Sequence, residues 1–177
     1  MISSRWALTE RFTITDQMGA PVFDVHGHFG LHKEVSFRDQ SGQVLAVLKK
    51  HLMNNRYEVL VGGKHAAEVH HRGFIGQHYQ VDSYEGVIDA QGDFAGWDYN
   101  LARAGALIAT VSRQMAFRET FYVEVAPGEN DVFILATVLA IDNIHDERRA
   151  QDHGIGLGGL PGMGGGLGGI AGREFGL

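Results

Sequence analysis

Residues 132–141, Val-Phe-Ile-Leu-Ala-Thr-Val-Leu-Ala-Ile, are apolar at every position except Thr137. A segment that is apolar on all sides has to be surrounded on all sides. Asn130 or Asp131 stands where a helix cap belongs, and the polar stretch 142–149 follows without a break, ending in Arg148 and Arg149. Ten residues exceed the usual strand, so the pattern predicts a buried helix over about 131–147. Its core residues are Val132, Phe133, Ile134, Leu135, Val138, Leu139 and Ile141. A final buried strand is the competing reading, because Val and Ile are frequent here. Ten helical residues span about 15 Å, half of a hydrocarbon core of about 30 Å, so this segment is not expected to cross a bilayer.

The chain before it supplies the enclosure. From Phe12 to Val125 it repeats an alternating strand, a turn (usually at glycine) and a second alternating strand, in units of twenty-odd residues. Strict alternation buries one face of each strand, and glycine at the reversals supplies the positive φ of tight hairpins. Eleven strands can be counted, and residues 5–8 offer a twelfth. Eight strands make a barrel filled by their own side chains, whereas about twelve leave a bore near the 10–12 Å width of a helix. The expected fold is therefore mainly β: a closed antiparallel barrel of about twelve strands around a buried C-terminal helix. The domain should occupy residues 1–150. Residues 151–177 form a glycine-rich tail, read as disordered, with 12 glycines between Gly154 and Gly176.

Composition narrows the function. The 177 residues contain no cysteine, which removes disulfides, thiolate metal sites and a cysteine nucleophile. A net charge of −6 argues against nucleic acid as a partner. The first residues lack the pattern of a secretory signal, and the expected location is cytoplasmic, at most peripheral to a membrane. No G-x-S-x-G, H-E-x-x-H or G-x-x-x-x-G-K-[ST] occurs. Gly154-Ile-Gly-Leu-Gly-Gly159 matches G-x-G-x-x-G without the strand–turn–helix setting that binds dinucleotides. The chain is read as non-enzymatic and without a cofactor.

The stretches FTITDQMGAPVFDVHG (12–27) and VSFRDQSGQVLAVLKK (35–50), Gly92-Asp93-Phe94 before Trp97-Asp98-Tyr99, and ILATVLAID (134–142) resemble the LURP-one-related family. The resemblance spans residues 4–149 and implies the fold of the tubby C-terminal domain and the phospholipid scramblases, a twelve-stranded barrel around a hydrophobic helix. It implies less about function. Tubby domains bind phosphoinositides through basic residues, and scramblases act on lipids with calcium.

Charge is segregated along the chain. Residues 33–72 carry net +3, while the remainder sums to −9. Lys49, Lys50, His51, Arg56, Lys64, His65 and Arg72 are the candidate site for an anionic headgroup, expected on a shared rim. Solvated strand and turn residues, with lysine guarding against edge pairing, are the plain alternative. Asp24, His26 and His28 share one face if they lie on a strand and are candidate metal ligands, with His32 nearby to complete the set. Asp142, Asp146 and Glu147 lack the spacing of a calcium loop and read as a solvated helix end. The leading expectation is binding of anionic phospholipid at a membrane surface. A scaffold whose tail recruits a protein partner, and scramblase-like activity, are the alternatives.

Overall fold

The computed structural model describes residues 11–28, 34–51, 55–72, 78–115, 119–154 and 174–176. Eleven antiparallel strands form one sheet in chain order: β1 (Arg11–Thr15), β2 (Pro21–His28), β3 (Glu34–Arg38), β4 (Val44–His51), β5 (Arg56–Val61), β6 (Lys64–His71), β7 (Tyr79–Ser83), β8 (Gly86–Asp93), β9 (Asp98–Arg103), β10 (Ala106–Met115) and β11 (Glu119–Val125). The helix α1 (Asp131–Gly154) and a short strand β12 (Glu174–Gly176) follow.

Local chemistry explains the hairpins. Asp16 and Asp39 each begin an Asp-Gln-x-Gly turn, and each Oδ1 accepts the backbone N–H two and four residues on, all at 2.9 Å. The glycines that complete these turns, Gly19 and Gly42, have φ of 82° and 85°, where a side chain would be strained. Each turn sets the strand register, which sends alternate residues inward. Tyr57 and Val59, Tyr79 and Val81, Ile88 and Ala90, and Tyr99 and Leu101 are all buried.

The helix reading is the one realised. Asn130 Oδ1 accepts the Phe133 N–H at 3.0 Å, and its carbonyl takes the Ile134 N–H, so Asn130 is the N-cap. Every residue from Phe133 to Asp142 is buried. The helix packs on β4, β5 and β6 and also on β11, which lies far away in the strand order. The sheet therefore has to roll around it.

Two expectations are corrected. Among the described residues the antiparallel strands number eleven and do not close on themselves, since β1 and β11 are not paired with each other. Instead β12 stands between them, parallel to both, matched to β1 at Thr15↔Gly176 and to β11 from Thr120↔Glu174 to Tyr122↔Gly176. The strand expected over residues 5–8 lies outside the described residues. The helix also runs past its expected end near 147, through 151–153, and stops at Gly154, the first glycine of the tail. Its polar continuation has good helix propensity until that glycine ends it. The tail contributes a strand at 174–176, and 155–173 lie outside the described residues.

Leu135 is 2% exposed, so Leu135→Asp should abolish cooperative folding in chemical denaturation: an unpaired buried charge costs several kcal/mol against a total of about 5–15. Met18→Asp, at a fully accessible turn, should leave the midpoint unchanged. The Thr137 hydroxyl is buried and has no hydrogen-bond partner among the described residues, so Thr137→Val should raise stability by about 1 kcal/mol in the same assay.

Candidate functional site

The antiparallel order gives the rolled sheet two unlike ends. The odd-to-even connections, such as 16–20, 39–43 and 62–63, lie at one end, where the chain also enters α1. The even-to-odd connections, including 94–97, lie at the other, where the C-terminal half of α1 emerges. The chemistry-bearing side chains are concentrated at this helix-exit end.

Lys50 continues the inward row of Ala46 and Leu48 on β4 and meets Glu147 of α1 at 2.5 Å. Tyr57, inward on β5, donates its hydroxyl to the other Glu147 oxygen at 3.2 Å. His145 is buried, and its Nδ1 lies 3.1 Å from the Tyr79 hydroxyl. Tyr79 makes edge contacts with His71 at 5.2 Å and Phe94 at 4.6 Å, and Phe94 lies 4.5 Å from Tyr99. Phe94 and Trp97 are buried in the 94–97 connection, which folds back against the core. Gly92 makes that return possible. Its φ is 143°, and a Cβ there would lie 2.5 Å from the Asp98 carbonyl oxygen. The Gly-Asp-Phe stretch thus has a packing role. Asp93 accepts the Gly96 N–H at 2.9 Å, and Phe94 covers Tyr79.

The electrostatics follow from burial. Tyr57 is pushed well above the ordinary phenol range by desolvation, and then by the charge and hydrogen bond of Glu147 and the charge of Asp142. Tyr79 is raised to about 12. Burial dominates, Arg148 opposes the shift, and Asp142 and Asp146 add to it. Asp142 is itself buried, and Glu147 is held by Lys50 and Tyr57. The expectation that Asp142, Asp146 and Glu147 form a solvated helix end is therefore corrected for two of the three. The helix emerges beneath strand residues that keep these carboxylates covered.

The seven basic candidates do not share one rim. His51, Arg56 and Arg72 flank the helix-exit end, with Lys49 and Lys50 just inside it, whereas Lys64 and His65 adjoin the 62–63 turn. The eight residues of β6 put about 26 Å between these positions. Several of the seven are also engaged: Lys50 with Glu147, Arg56 with Glu68, His65 with Glu58 at 3.0 Å, and Arg72 with the Gln80 carbonyl at 2.7 Å. Lys49 and His51 are exposed, as are Arg72 and Arg149. Lys49 stands between Glu34 and Glu58 in the strand register.

Asp24 and His26 do share the outward face of β2, and Asp24 accepts the Thr13 hydroxyl at 2.9 Å. The His28 side chain and His32 lie outside the described residues. Among the described residues no three metal-binding side chains gather, and no helix is long and apolar enough to cross a membrane. Sequence reasoning did not find the Lys50–Tyr57–Glu147 and Tyr79–His145 contacts. The available signal was two tyrosines at inward strand positions, whose hydroxyls need partners once buried.

Both phenols hold their protons more tightly when folded than at the unfolded value near 10. Their contribution is complete below pH 10 and is lost as pH rises toward the folded values, about 12 for Tyr79. Stability should therefore fall steeply above pH 10, and Tyr57→Phe with Tyr79→Phe should flatten that limb in denaturation curves taken from pH 8 to 11.5. In a double-mutant cycle, Lys50→Met and Glu147→Gln should couple by roughly 0.5–3 kcal/mol.

Residues 1–142 match the LURP-one-related family. No curated protein matches the chain. In structure it is similar to the X-ray structure of a protein from Arabidopsis thaliana, with a TM-score of 0.63 and 22% identity over 82% of this chain and 90% of that one. The likeness in structure is one of fold. With the family match covering most of the chain, this protein belongs to the LURP-one-related family.

Proposed function

We propose that this chain is a non-enzymatic, tubby-like binding domain that engages the phosphate of an anionic phospholipid through the helix-exit end. The observation that carries this reading is that exposed Lys49, His51, Arg72 and Arg149 gather at that end with no carboxylate paired to them among the described residues, while the neighbouring cations Lys50 and Arg56 are neutralised by Glu147 and Glu68. Arginine suits phosphate because its planar fork donates two parallel hydrogen bonds, and lysine acts as a point charge. A sheet rolled around α1 would hold these residues rigidly, which lowers the ordering cost of binding. In this reading the protein is peripheral to the membrane, and its helix stays inside the fold, as scramblase-like activity would not allow.

Co-sedimentation with vesicles of phosphatidylcholine alone, with phosphatidylserine, and with phosphoinositide tests it. Binding should require the anionic lipids and weaken with salt. Surface cations contribute about 1 kcal/mol each, so Lys49→Ala with Arg72→Ala should weaken binding about 30-fold. Lys64→Ala, at the opposite end, should leave it intact. Equal loss from Lys64→Ala, or no loss from the pair, would reject this site.

A further inference from the structure

Every neighbouring pair among β1–β11 is antiparallel and joined in sequence order. The seam between β1 and β11 is different. It is occupied by three residues from the far end of the chain, lying parallel to both neighbours. We propose that this seam is an acceptor site for an extended strand, and that the C-terminal segment Glu174–Gly176 is its exchangeable resident, replaceable by the same segment of a second copy. This inference is independent of the phospholipid reading.

The pairing is thin. The segment is matched to β11 at three positions and to β1 at one, Thr15, where the β1–β2 register already shifts. Parallel pairs are slightly weaker per residue than antiparallel ones, and this one is three residues long. Residues 155–173 number nineteen, ten of them glycine, the residue that loses the most backbone freedom when it is ordered. A segment joined to its site only through a linker competes with a strand supplied in trans.

The geometry also explains why the tail enters in this direction. Helix α1 emerges at the end where β11 begins, and Glu174 is level with Thr120 near that beginning. Glu174 thus stands at the end where α1 emerges, and the segment runs from there parallel to β11. Main-chain hydrogen bonding supplies affinity in such strand addition, and any chain with this sequence fits equally well. A second copy of the same tail is therefore the natural competitor.

The test uses the full chain. Proline at the middle of β12 removes an N–H and cannot continue a paired strand. A labelled peptide of residues 172–177, Gly-Arg-Glu-Phe-Gly-Leu, should bind the Phe175→Pro chain at least tenfold more tightly than the unaltered chain, whose seam is filled. Amide exchange at residues 120–122 should quicken in the variant and slow again when peptide is added. Equal binding to both chains, or binding to neither, would overturn the proposal. If Phe175→Pro fails to fold, a second variant takes its place. Thr120→Cys with Glu174→Cys joins register partners in a chain that has no other cysteine. The oxidised form should cross-link within one chain and exclude the peptide, and the reduced form should admit it. No intrachain cross-link, or peptide binding that ignores the redox state, would equally overturn it.

Discussion

The fold depends on one constraint: α1 has no polar face along its first ten-odd residues, so water has to be excluded from its whole circumference. An amphipathic helix can lie on a flat sheet. This one requires a sheet that rolls far enough for β4–β6 and β11 to reach it from different sides. The strands satisfy that demand with alternating inward residues, and the tight turns at the helix-entry end keep the register that aims them. Burial at about 25 cal/mol per Å² of apolar surface is the main driving force. Little of it survives unless the turns hold every strand in phase.

Where the helix stops being apolar, the enclosure needs a different chemistry. Asp142, His145 and Glu147 continue the helix within reach of the strands, and an unmatched ionised group there would cost several kcal/mol. The strands answer with Lys50, Tyr57 and Tyr79, while Phe94 covers the cluster from the 94–97 connection. This end of the molecule is therefore both a polar seal on the core and the place where cations accumulate. The two roles divide cleanly among the side chains. Lys50 and Arg56 serve the fold, whereas Lys49, His51 and Arg72 face solvent. A positively charged stretch in sequence thus overstates the charge free to meet a ligand.

The legibility of the fold varied with the kind of information each part required. The helix, its core residues and the hairpin series were readable because periodicity is a local property: inward Val59 and outward Glu58 are neighbours in sequence. The strand count was nearly right for the same reason. Closure was not readable. Whether β1 meets β11 depends on the summed tilt and stagger of all the strands, and the segment that comes between them lies within a stretch whose glycines suggested no structure at all. The candidate rim failed similarly. Lys64 and Arg72 are eight residues apart in sequence, but a straight strand places them at opposite ends of the sheet.

The sequence by itself determined that this chain is mainly β, that its turns reverse at glycine, and that residues 132–141 must be buried on every side. Each of these follows from the spacing of apolar residues and the conformations their neighbours allow. Only the tertiary structure decided that Lys50 turns inward to Glu147, that Asp142 and His145 are covered, and that the final residues join the sheet. Those outcomes depend on which side chains are brought together across long sequence separations, and no local pattern encodes such a meeting.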